Sequence, residues 1–108
     1  MKLAIIRCLK QEAECVANEC LEVIKNRENE LEGTKSIQLV GFVTCGGCSG
    51  KKIPIRALRL LDGAADKIIL TSCISNSSCK TDVCPHFKKI KASLLKTVGE
   101  ENIIWSTI

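Results

Sequence analysis

Short aliphatic runs alternate with amphipathic segments along the whole chain. Residues 3–8 form an apolar run of strand length, Leu-Ala-Ile-Ile-Arg-Cys. Residues 11–32 are polar and acidic, with Val16, Cys20, Val23, Ile24 and Arg27 at helical spacing, and predict a first helix. Residues 37–45 are nearly continuous in β-branched and aromatic side chains and break at Gly46 and Gly47, which predicts a second strand. A second helix is expected over residues 53–61, with Leu58 and Leu61 on a face opposite Arg56 and Arg59. Residues 66–73, with Ile68, Ile69 and Leu70, predict a third strand. After a polar loop Pro85 takes the first position of a third helix, which carries Phe87, Ile90, Leu94, Leu95 and Val98 on one face and stops at Gly99. Residues 103–107 predict a fourth strand.

Strands that alternate with helices call for right-handed crossovers, because each helix must return the chain across a sheet face before the next strand begins. The expected fold class is therefore α/β: a three-layer sandwich with a four-stranded parallel sheet ordered 2-1-3-4, flavodoxin-like in miniature. At 108 residues the chain fits one domain, spanning 1–108, since a second core would starve the first.

Composition narrows the picture. Hydrophobic residues make up 45% of the chain, but Phe42, Phe87 and Trp105 are the only aromatics, so the core must be aliphatic. The net charge of +4 mixes both signs, and Lys88, Lys89 and Lys91 fall on an amphipathic helix, which reads as a solvated face and not as a nucleic-acid surface. No apolar run approaches the roughly 20 residues of a membrane span. The first apolar run is about four residues, short of the roughly 7 to 15 of a signal peptide, so the expectation is a cytoplasmic protein. Cysteines there are held reduced, which makes the eight in this chain thiolates or metal ligands and not a disulfide framework.

All strands of a parallel sheet end at one edge, and ligands bind outside those carboxyl ends. Cys8 ends the first strand, Cys45 the second with Cys48 just beyond, and Cys73 the third; Cys79 and Cys84 follow on the next loop. Two residues between Cys45 and Cys48 let both sulfurs reach one ion at about 2.3 Å, and the intervening glycines permit the turn. Lys51 and Lys52, at the start of a helix, favour the anionic sulfur. Pro85 at the first helical position would put Cys84 at the cap, beside His86, the chain's one histidine. The candidate metal ligands are accordingly Cys8, Cys45, Cys48, Cys73, Cys79, Cys84 and His86. Cys15 and Cys20 stay open between ligand and core roles.

These residues together resemble the CGGC domain family, over nearly the whole chain. The likeness rests on Ile5-Ile6-Arg7-Cys8, Cys15 and Cys20-Leu21, Val40-Gly41-Phe42-Val43-Thr44 leading into Cys45-Gly46-Gly47-Cys48, Gly63-Ala64-Ala65-Asp66, Ser72-Cys73-Ile74 and Cys84-Pro85-His86. The resemblance implies a metal-binding domain, with zinc the usual suggestion and no established enzymatic activity. Two departures stand out: Trp105-Ser106-Thr107-Ile108 replaces a Gly-Thr-His ending, and Glu30-Leu31-Glu32-Gly33 lacks the family's aromatic residue.

A metal ion is thus the expected partner and zinc the leading reading, because four thiolates suit its tetrahedral preference. The same ligands would suit an iron–sulfur cluster in an electron carrier or redox sensor. A third reading is a thiol–disulfide oxidoreductase cycling Cys45 and Cys48, although such an enzyme needs two cysteines and not eight. Apart from His86 there is no candidate catalytic base, no suggestive carboxylate pair and no phosphate-binding glycine fingerprint, so the balance leans against an enzyme.

Overall fold

The computed structural model describes residues 1–9, 21, 22, 25, 37–63, 65–71, 74 and 84–105. Cys15, Cys20, Cys73 and Cys79 lie outside the described residues, as do most of the predicted first helix and residues 106–107 of the predicted last strand. Leu21, Glu22 and Lys25 of that first helix are described, and they are helical.

The elements are β1 (Lys2–Arg7), β2 (Gln38–Thr44), α1 (Ile53–Gly63), β3 (Lys67–Leu70), α2 (Phe87–Thr97), a 3-10 turn (Glu100–Asn102) and β4 (Ile103–Trp105). The strands form one parallel sheet in the order β2-β1-β3-β4, as the alternating pattern predicts. β1 is paired on both sides: with β2 from Lys2↔Gln38 to Arg7↔Thr44, and with β3 from Leu3↔Lys67 to Ile6↔Leu70. Its register with β2 shifts once, between Leu3 and Ala4.

A strand buried on both faces must be apolar at successive positions, and Leu3, Ala4, Ile5 and Ile6 are fully buried. Their alternation divides the core in two. Ala4, Ile6, Ile68 and Leu70 face a layer that includes Ile53 and Ala57 of α1 and Ile90 and Leu94 of α2. Leu3, Ile5 and Ile69 form a second cluster with Met1, Ile37 and Ile104 packed against it. Both sheet faces are therefore buried at β1 and β3, and α1 and α2 both pack on the first of them. Where α1 crosses β2, a Cβ on Gly41 would lie 2.6 Å from Leu60 Cδ2, so the glycine admits the helix at close range.

Two helix faces differ from expectation. Leu58 and Leu95, both assigned to apolar faces, are exposed, whereas Ile53 and Ala57 in α1 and Ile90 and Leu94 in α2 are buried. Adjacent helical residues point about 100° apart, so a leucine beside a buried position readily turns to solvent. Gly99 stops α2 as expected: its φ is +82°, and both its N–H and that of Val98 donate to the Leu94 carbonyl. The strands are also shorter than predicted. β1 ends at Arg7 and β2 at Thr44, which leaves Cys8 and Cys45 just past the strand ends. β3 is assigned only to Leu70, although the Thr71 N–H still donates to the Ile6 carbonyl at 3.2 Å.

The assignment of α1's buried face predicts unequal costs of truncation. Ile53→Ala should lower unfolding free energy by about 2 to 5 kcal/mol and Leu58→Ala by less than about 0.5 kcal/mol. Urea denaturation measures both, and equal losses would show that the face is wrongly assigned.

Candidate functional site

Parallel hydrogen bonding runs one residue beyond the ends of β1 and β2. The Cys45 N–H donates to the Arg7 carbonyl at 2.7 Å. The next rung of a regular parallel ladder would carry the Leu9 N–H to the Cys45 carbonyl. Instead the Leu9 N–H donates to the Cys45 sulfur, at 3.4 Å. Cys8 is thus bracketed by two contacts from Cys45, and both cysteines are buried, at 9% and 8% exposure, in the core cluster on the helix side of the sheet. The ladder therefore ends on a sulfur where a carbonyl oxygen would continue it.

The turn from β2 into α1 depends on its glycines. Gly46, Gly47 and Gly50 have φ of +79°, +106° and +81°, values that side chains with a Cβ rarely adopt. A Cβ on Gly46 would lie 2.8 Å from Lys52 Cδ and 3.3 Å from Arg56 Nη2, so two cationic side chains lie against the motif. The Arg56 guanidinium also donates to the Thr44 carbonyl at 3.0 Å. Its amphipathic position suggested only a solvent face. Its signal was proximity, since it lies one turn into the helix that follows the motif. Arg7, by contrast, alternates to the face opposite Cys8, is buried, and lies 6.0 Å over the Phe42 ring.

Cys48 occupies a different environment from Cys45. It is exposed, and with Lys51 and Lys52 it lines a pocket of about 230 Å³. The two cysteines of the motif are both thiols, one facing the core and one facing solvent.

Cys84 and Pro85 are placed differently from the sequence expectation. Pro85 and His86 form a turn before α2, closed by a bond from the Phe87 N–H to the Cys84 carbonyl at 3.3 Å. His86, not Cys84, is the N-cap residue, and its carbonyl receives the Ile90 N–H at 3.0 Å. Proline suits the second position of a turn as well as it suits the first position of a helix, which is why the pattern was ambiguous. Cys84 is partly buried and packs against the cluster that holds Cys8 and Cys45. His86 lines a separate pocket with Ser49 and Lys51.

Cys73 and Cys79 lie outside the described residues. Thr71 and Ile74, on either side of Cys73 in sequence, are both buried at 1% exposure, and the Ile74 N–H donates to the Thr71 carbonyl at 3.0 Å. Among the described residues no three His, Cys, Asp or Glu side chains are grouped to hold a metal ion. Their donors fit a thiophilic ion in kind, with Cys8 and Cys45 side by side, but a tetrahedral set needs further ligands.

Fold and site together define a small α/β domain with thiols at the carboxyl edge of a parallel sheet. The CGGC domain model matches residues 2–107, and the chain belongs to the CGGC domain family. An uncharacterized protein of Methanocaldococcus jannaschii is 33% identical over 114 residues, covering 99% of this chain and 86% of the relative. No solved structure matches. Among the described residues no helix is long and apolar enough to cross a membrane.

The loop geometry carries a stability prediction. At Gly50 a Cβ would lie 2.6 Å from Ile90 Cδ1, whereas at Gly63 nothing lies within 4 Å. Gly50→Ala should cost about 1 to 3 kcal/mol, and Gly63→Ala should be neutral or stabilising by up to about 1 kcal/mol. Thermal unfolding followed by circular dichroism checks both, and a Gly50→Ala variant as stable as the parent would refute the strained turn.

Proposed function

We propose that this chain is a cytoplasmic metal-binding protein whose cysteine thiolates hold a thiophilic ion at the carboxyl edge of the sheet, with zinc the favoured ion. The observation that carries this reading is the buried Cys8 and Cys45 pair, with the Leu9 N–H directed at the Cys45 sulfur. Cys84 packs against the same cluster, and Cys73 follows β3 between two buried residues; these are the proposed third and fourth ligands. Cys48, Cys79 and His86 form the outer set. Zinc fits because four sulfurs satisfy its tetrahedral preference without redox chemistry. Arg56, Lys51 and Lys52 offset the negative charge that four thiolates bring.

Elemental analysis and an absorption spectrum of protein purified without oxygen test the reading. The expected result is a colourless protein with about one zinc per chain, and Cys8→Ser and Cys45→Ser each lose most of it. A brown protein containing iron and sulfide would replace zinc with a cluster at the same thiols. Full metal content in both variants would remove the pair from the site.

The unequal burial of Cys45 and Cys48 favours a second reading. An exposed thiol that attacks and a buried one that resolves is the arrangement a dithiol oxidoreductase uses. Chelated protein incubated with a small disulfide and an excess of a thiol reductant, which returns the Cys45/Cys48 disulfide to the dithiol after each cycle, separates the two when compared with the rate without protein. Under the metal reading there is no turnover. Sustained reduction that is lost in Cys48→Ser and retained in Cys8→Ser would establish the enzyme instead.

A further inference from the structure

A pocket of about 370 Å³ opens beside the thiol edge, between the Ser49–Lys51 loop and the starts of α1 and α2. It is within the usual range for small-molecule sites, roughly 300 to 1,000 Å³. Lys51 enters from the loop and Lys89 from α2, so two lysines from distant parts of the chain line one cavity. No acidic side chain answers them among the described residues: none lines the pocket, and neither helix carries one in its first turn. Ser49, Ser93 and His86 add hydrogen-bonding groups, while Pro54 and Ile90 supply an apolar wall. Two lysines, further hydrogen-bonding groups and an apolar wall match the chemistry of a small organic oxyanion.

We propose that this pocket binds a small organic oxyanion, a phosphate or carboxylate group attached to a compact apolar portion. Lys51 and Lys89 hold the charged group, and the apolar portion rests on Pro54 and Ile90. The pocket shares Ser49 and Lys51 with the smaller pocket that Cys48 lines. A ligand bound there lies next to the exposed thiol of the motif. The site shares His86 with the outer set of the proposed metal site but does not depend on the four inner ligands Cys8, Cys45, Cys73 and Cys84.

The chain has one histidine, so the His86 ring gives a single, assignable NMR signal in the pocket. The test is a titration of the full chain with phenyl phosphate at constant metal content, pH and ionic strength, with sodium chloride as the matched control. The expected result is a saturable shift of the His86 ring and the Ser49 and Ser93 amides, absent with chloride. The Lys51→Ala/Lys89→Ala double variant should bind at least tenfold more weakly. Both lysines are exposed, so the variant should fold, which its circular dichroism spectrum verifies. A shift that fails to saturate, a chloride response of equal size, or unchanged affinity in the double variant would overturn the proposal.

Discussion

The pairing of β1 on both of its edges is the constraint from which the rest of the structure follows. A parallel strand with neighbours on either side donates and accepts along its full length, and its side chains must satisfy two covered faces at once. Leu3 to Ile6 meets that demand with four fully buried side chains, and the register that results decides what stands at the end of the strand. A slip of one residue would exchange the two faces. Arg7 would then point into the helix layer, and Cys8 would leave the side where Cys45 lies. The same alternation that buries the core therefore keeps a guanidinium away from the thiols and brings the two cysteines together.

The loop after β2 links that edge to the helices. Its glycines let the backbone turn within a few residues, and the missing side chain at Gly50 lets Ile90 of α2 approach it closely. Thr44, at the end of β2, is held by Arg56 of α1. The loop thus packs against both α1 and α2, so its conformation is set by tertiary packing as well as by local backbone freedom. Glycine is required by positive φ at the motif and by close approach at Gly50 and Gly41, which are different physical demands on the same residue type.

Much of this was legible in the amino-acid pattern. Apolar runs of strand length marked β1, β2 and β3, and their alternation with helices implied the sheet order and hence the common edge. Side-chain facing was harder to read. Leu58 follows the buried Ala57 and Leu95 the buried Leu94, and composition cannot say which of two adjacent apolar residues turns inward. Pro85 fits a turn and a helix start equally, so the position of Cys84 was ambiguous until the hydrogen bonds were seen. The contact between Leu9 and Cys45 involves a backbone N–H, which every residue but proline carries, and so leaves no mark in the sequence.

Spacing also could not divide the labour between Cys45 and Cys48. Two intervening residues are compatible with sulfurs that share an ion and equally with sulfurs that face opposite ways. The outcome depends on the turn, and this one sends Cys45 to the core and Cys48 to solvent. In the proposed site the partners for the buried sulfur come from other strand ends, which the parallel sheet brings to the same edge. On the proposed reading this explains why a short motif is accompanied by so many distant cysteines: the fold, and not the spacing, assembles the inner ligands. Cys48 is left on the outer side, beside two lysines, where small molecules can reach it.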